Sequence, residues 1–285
     1  MTARAGTTQV GTAMRLKRVI DPTGVSIICA LDHGMTSPTF LEPLADIGGR
    51  TAEVVAGGAN VIMMSKGMIR LAEPAFAPTT SLALLLSASA NPAEPQPEVV
   101  QIAQVEEAVR LGADAVVLFT ALGGAATEAG MIRTLAAVGA ECAAMGMPLI
   151  AEAEFPTTYA AVEQLNEQYG FEYLRRNVRL CAELGADIVK TNWPGDGDGF
   201  ARLVEAAAGI PLVLAGGSRL GDRELLQRME AATTAGGIGC SVGRNIFMHR
   251  SPEAITRALS RVIRERWSAD KAFDELQETA AEEAS

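Results

Sequence analysis

The stretch ADIVKTNWPGD, Ala186 to Asp196, sets a lysine inside a short apolar run. Alternation along a strand puts Ile188 and Lys190 on one face and Val189 and Thr191 on the other, so Lys190 can point into a protein interior. Burial disfavours the ammonium and lowers the pKa of such an amine. That supplies the neutral nucleophile that condenses with a ketone to form a Schiff base. The plain alternative is a buried ion pair between Lys190 and Asp32, Glu152 or Glu154. Glu152 and Glu154, in LIAEAEF, are two residues apart and project from one strand face. Two carboxyls in a partly dry site repel, so one keeps its proton near neutrality and can act as general acid and base while the other stays ionised. Their structural alternative is to neutralise Lys190 or an arginine. Which glutamate would act is left open by the spacing.

Two glycine-bearing turns, LAGGSR (Leu214 to Arg219) and SVGRN (Ser241 to Asn245), offer exposed backbone N–H groups and an arginine, a pairing suited to phosphate. The neighbouring GGIGCSVG misses the G-x-G-x-x-G spacing and runs from helix into strand, so no nicotinamide site is expected. His33, in CALDHG, could touch substrate, bind metal or simply end a strand. With only two histidines in the chain, His33 and His249, a metal centre is not expected. Lys66, in MMSKGMI, reads as a solvated rim lysine rather than a second catalytic amine. Four cysteines without CxxC spacing, Cys29, Cys142, Cys181 and Cys240, read as reduced core thiols.

The elements that must position these groups repeat. A helical stretch, a Gly-Ala stop and a short apolar run recur in VVAGGANVIMMS, AVRLGADAVVLF and CAELGADIVKTN, with a looser copy in TAGGIGCSVG. Glycine ends each helix and the apolar run suits a strand covered on both faces. Adding VSIICALD, SLALLLSA, MPLIAEAE and PLVLAG gives eight strands, with helical periods between them such as VVQIAQVEEAVRLG (Val99 to Gly112) and FEYLRRNVRLCAELG (Phe171 to Gly185). Eight βα units indicate a single-domain (β/α)8 barrel over 1–285 rather than an open doubly wound sheet. Residues 1–20 read as a lead-in, and the stretch from Pro252 as an eighth helix followed, from about residue 268, by a frayed acidic tail. In such a barrel chemistry belongs at the carboxyl ends of the strands, where Asp32, His33, Lys66, Glu152, Glu154, Lys190, Ser218 and Arg244 fall.

The formal net charge of −10 and the lack of a basic run argue against nucleic acid or an anionic membrane surface as partner. No window approaches the length of unbroken apolar sequence that spans a bilayer, and the N-terminus lacks the apolar segment of an export signal. A cytoplasmic protein acting on small molecules is expected.

CALDHGM, MMSKGMI, ADIVKTNWPGD, LAGGSR and SVGRNIF, in that order across the barrel, resemble the archaeal-type class I fructose-bisphosphate aldolases and their relatives in the deoxyribose-phosphate aldolase-like superfamily, which include aminodideoxyheptulosonate synthases. The resemblance implies a Schiff-base lysine at Lys190, an aspartate at Asp32, and phosphate held by Gly216, Gly217, Ser218, Gly243 and Arg244. It implies no metal and no other cofactor. Its members often form homo-oligomers, pentameric rings or decamers. One departure concerns strand 5, where the family has a proton-donating tyrosine before Pro-Arg-Gly and this chain reads AEAEFPTTY. Glu152 or Glu154 could take that role, as in tagatose-bisphosphate aldolases, with Tyr159 a weaker candidate. The expected function is a metal-independent aldolase with a donor such as dihydroxyacetone phosphate. The alternatives are use of the same imine with aspartate semialdehyde, acetyl transfer by a thiolase-like cousin, and a sugar-phosphate-binding protein without catalysis.

Overall fold

A computed structural model describes residues 10–94, 98–122, 125–157 and 159–283. Eight parallel strands close into a barrel: β1 (Ser26–Ala30), β2 (Val61–Met64), β3 (Ser81–Leu85), β6 (Ala115–Phe119), β7 (Leu149–Ala153), β8 (Ile188–Thr191), β9 (Leu212–Ala215) and β10 (Gly239–Val242), which returns to β1. Two further strands, β4 (Ser87–Ala90) and β5 (Glu98–Gln101), form an antiparallel hairpin that leaves the carboxyl end of β3. The (β/α)8 architecture expected from the repeat is the one observed.

Alternation sorts each strand between two cores. Ile27, Cys29 and Leu31 face outward to the helices, whereas Ile28 and Ala30 face inward with Val61, Met63, Ala83, Leu85, Ala115, Val117, Ile150, Ile188 and Val213. These side chains fill the barrel, so it is a packed interior rather than a channel. Its amino-terminal end is closed by the helix Val10–Val19, whose Val19 packs into the inner cluster beside Leu16 and Ile20. The lead-in is therefore a plug from Val10 onward; residues 1–9 lie outside the described residues. The four cysteines are buried and free, and burial pushes the thiols of Cys142, Cys181 and Cys240 up to about 12.

The recurring phrase has a second function in its last residue. Asn60 in GGAN accepts from Ile27 N at 2.7 Å, Asp114 in LGAD accepts from Leu82 N at 3.1 Å, and Asp187 in the other LGAD accepts from Leu149 N at 3.0 Å. Each side chain sits at the foot of its own strand and satisfies an N–H at the first or second residue of the strand beside it, which fixes register at the start of the ladder. Closure between β1 and β10 depends on Gly239, because a Cβ there would overlap the Ser26 carbonyl oxygen.

Two expectations need correction. Val99 to Gly112 is not helical throughout: Glu98–Gln101 is the hairpin's second strand and the helix occupies only Val105–Arg110. Three apolar residues at its start, Val99, Val100 and Ile102, pass for the first turn of an amphipathic helix, but Val99 and Val100 pair with Ser89 and Ala88. Nor is the stretch from Ala269 to Glu283 frayed. After the helix Pro252–Arg264, a further helix, Ala269–Glu283, buries Ala269, Ala272 and Leu276 against the core and joins it through Arg261–Glu275 at 3.1 Å. Acidic residues occupy its outer face and obscure the 3.6-residue apolar stripe. Leu276→Ala should lower the free energy of unfolding by ~2–4 kcal/mol in urea titrations. A change within ~0.5 kcal/mol, the usual effect of an exposed site, would instead fit a frayed tail.

Candidate active site

Strand alternation carries the inward face upward to the charged residues. Ile150 belongs to the inner core, so Glu152 two residues on shares its direction, and Ile188 does the same for Lys190. The β7–β8 register places Glu152 opposite Lys190. Lys190 Nζ donates to Glu152 Oε1 at 2.7 Å and lies 3.4 Å from Glu154 Oε1, with all three side chains buried. Glu154 is past the end of β7, turned back by its own N–H donating to Glu152 O. The residue after it is pinned by Asn192, whose Oδ1 accepts from Phe155 N at 2.7 Å.

The electrostatics reverse one expectation. Burial alone would lower the Lys190 amine, but the carboxylates of Glu152 and Glu154 outweigh it and hold the ammonium above its ordinary pKa of 10.5. The ion-pair reading of Lys190 therefore describes the resting state. Burial pushes the Glu152 carboxyl from 4.5 up to about 7, the ammonium opposing and the Glu154 carboxylate reinforcing the rise. At Asp32 burial also acts upward, but the His33 ring and the Lys190 ammonium hold the carboxyl below its usual range. His33 Nδ1 lies 3.3 Å from Asp32 Oδ1, and the ring packs edge-on against Phe247.

Lys190, Glu154 and His33 stand where two lobes of one cleft meet. The smaller lobe, about 290 Å³, is lined by Ser241, Gly216, Gly217, Gly243 and Arg244. The larger, about 560 Å³, is walled by Asp32, Glu152, Phe119, Tyr159 and the start of the hairpin. The glycines of the small lobe answer to different constraints. Gly217 has φ +64°, a left-handed turn that opens the backbone beside Arg244. At Gly243 a Cβ would overlap the His33 ring. Arg244 donates from Nη2 to Gly217 O at 2.9 Å and lies 4.6 Å above the Tyr159 ring.

Of the residues expected at the site, Lys190, Asp32, Glu152, Glu154, His33, Gly216, Gly217, Gly243 and Arg244 are brought to the cleft. Ser218 lies outside the lining, its carbonyl accepting from Asn245 Nδ2 at 3.0 Å. Lys66 also lies outside, paired with Glu107 at 2.9 Å on the rim. Four contributors escaped notice or weight. Asn245 donates to Gly216 O and Ser218 O and accepts from Leu220 N, tying both turns together. Its signal was its place beside Arg244 in SVGRN. Asn192 follows the lysine strand directly and was read only as part of a motif. Ser241 directs a buried hydroxyl without a protein partner into the small lobe, and Tyr159 presents a buried hydroxyl, likewise unpartnered, at the large one. The loop holding Tyr159 has no periodicity to betray where its side chain goes.

A family model described as DeoC/LacD family aldolase matches residues 26–249. The chain is 35% identical over 256 residues to 2-amino-3,7-dideoxy-D-threo-hept-6-ulosonate synthase of Halobacterium salinarum, covering 90% of this chain and 92% of that protein. It is 32% identical over 269 residues to 3-hydroxy-5-phosphonooxypentane-2,4-dione thiolase of Escherichia coli, covering 93% and 86%. Among solved structures, an archaeal fructose-1,6-bisphosphate aldolase with its catalytic lysine covalently bound to the carbinolamine intermediate superposes with TM-score 0.75 at 25% identity, covering 89% of this chain and 99% of that one.

The folded chain binds the Glu152 proton more tightly than the unfolded chain, given a carboxyl at about 7 rather than 4.5. Its contribution is complete below the unfolded value and is lost as the pH rises through the folded one, on the order of 3 kcal/mol. Urea unfolding of the native sequence between those two pH values should show this decline, and Glu152→Gln should flatten it. Equal slopes in both proteins would mean that Glu152 does not titrate in that window.

Proposed function

The chain belongs to the DeoC/LacD aldolase family, and from that premise we propose that it is a Schiff-base aldolase whose amine is Lys190. The observation that carries this reading is a buried lysine 2.7 Å from a carboxyl poised near neutrality, at the junction of an arginine-and-glycine lobe and a second, larger one. Because Lys190 rests as an ammonium, the first step is transfer of a proton from Nζ to Glu152. The neutral amine then attacks the ketone carbon. The carbonyl oxygen takes the proton back from Glu152 and the nitrogen then gives one of its own protons to the freed Glu152 carboxylate, leaving a neutral carbinolamine. Glu152 passes that proton to the carbinolamine hydroxyl, which departs as water and leaves the iminium, and the iminium withdraws electrons from the neighbouring carbon–carbon bond.

Asp32, held ionised, stabilises the cationic intermediate across the barrel. Glu154 places a second carboxyl 3.4 Å from the nitrogen. The small lobe receives the donor's phosphate through Arg244, the turn of Gly216, Gly217 and Gly243, and the Ser241 hydroxyl. Anchoring there, away from the reacting bond, holds the ketone against Nζ and removes much of the entropic barrier. Dihydroxyacetone phosphate is the simplest donor with the required ketone and phosphate. For the acceptor, the solved neighbour points to a fructose-bisphosphate reaction and the Halobacterium relative to an amino-heptulosonate one.

Incubation with dihydroxyacetone phosphate and borohydride should add the mass of the reduced adduct at Lys190, and Lys190→Ala should abolish it. Glu152→Gln should lower turnover by ~10²–10⁴-fold, the range for loss of one general acid–base group. An adduct at another lysine, or full activity in Lys190→Ala, would remove the mechanism.

A further inference from the structure

The two lobes differ in charge in a way that bears on the acceptor. Resting on the Schiff-base reading, we propose that the larger lobe receives an unphosphorylated carbonyl compound, so that the ketose made or cleaved carries a single phosphate. The small lobe has Arg244 of its own. The larger lobe has no cation of its own among the described residues: the two basic side chains lining it, Lys190 and His33, line the small lobe as well. Lys190 is engaged by two glutamates and becomes the imine nitrogen, and His33 stands against Asp32.

The far wall, beyond the amine, is built from Thr36, Leu85, Ser87, Ala88, Ser89 and Pro92, small neutral groups on β3, the hairpin and the turn after β1. β3 lies across the barrel from β9, four strands away in either direction, so this wall is opposite the arginine lobe. The intervening segment of the hairpin, NPAEPQP, carries no lysine or arginine and one glutamate. The rim lysine after β2, Lys66, is outside the lining and bound to Glu107. A second phosphate placed here would lose its hydration with no cation to replace it, and would face Asp32, Glu152 and Glu154. A hydroxylated or uncharged aldehyde meets no such penalty, since the wall offers hydroxyls of Thr36, Ser87 and Ser89.

The test is competition for the borohydride-trapped Lys190 adduct of dihydroxyacetone phosphate. Fructose 1-phosphate should halve the adduct at a concentration no more than about threefold above that of fructose 1,6-bisphosphate. Ser89→Lys, which puts a cation on the far wall, should strengthen competition by the bisphosphate relative to the monophosphate about tenfold or more. A bisphosphate more than about threefold tighter in the native sequence overturns the proposal. So does a monophosphate that fails to compete. In either case the adduct itself leaves the Schiff-base reading standing, whereas absence of the dihydroxyacetone phosphate adduct removes that reading and this proposal with it.

Discussion

One buried ammonium held between two glutamates organises the upper half of this barrel. Lys190 would not remain charged in so dry a place without Glu152 and Glu154, and its ammonium in turn opposes the rise that burial imposes on the Glu152 carboxyl. The arrangement is self-consistent only with all three present. Chemically it stores a proton and an amine within one hydrogen bond of each other. In the mechanism proposed for Lys190, the nucleophile is therefore not produced by making the lysine a weak base. It is produced by giving it a neighbour whose own affinity for the proton has been raised by desolvation.

Around that centre the rigid parts are backbone and amide rather than charge. Asn192 fixes the chain after Glu154, and Asn245 fixes the loop after β9 to the turn after β10. Neither is among the residues lining the cleft. Both work by saturating backbone groups in loops that have no ladder to do so, which keeps the geometry of the cleft from depending on the charged side chains alone. Gly243 contributes in the opposite sense, by leaving out the atom that would displace His33.

Much of this was legible in the chain itself. The Gly-Ala stops and apolar runs defined eight strands because a doubly covered parallel strand has a dense, short signature, and period-two alternation placed Lys190, Glu152 and Glu154 on one interior face before any coordinate. The protonation state was not legible, because it depends on the 2.7 Å separation across β7 and β8, a long-range distance. The hairpin strand Glu98–Gln101 was hidden by valines that fit a helix equally well, and the helix Ala269–Glu283 by its acidic exterior. Ser218 shows a different limit: proximity to a phosphate-type turn says that a residue is in the loop, not that it lines the lobe.

Asn60, Asp114 and Asp187 do the same job at three places around the barrel, each locking a strand to its neighbour at the end remote from the cleft. Assembly of the staves is thus specified at one pole and reactivity at the other. Loops at the catalytic pole can be exchanged, lengthened or recharged with little penalty to closure, a division of labour that lets one scaffold diversify its chemistry while its architecture stays put.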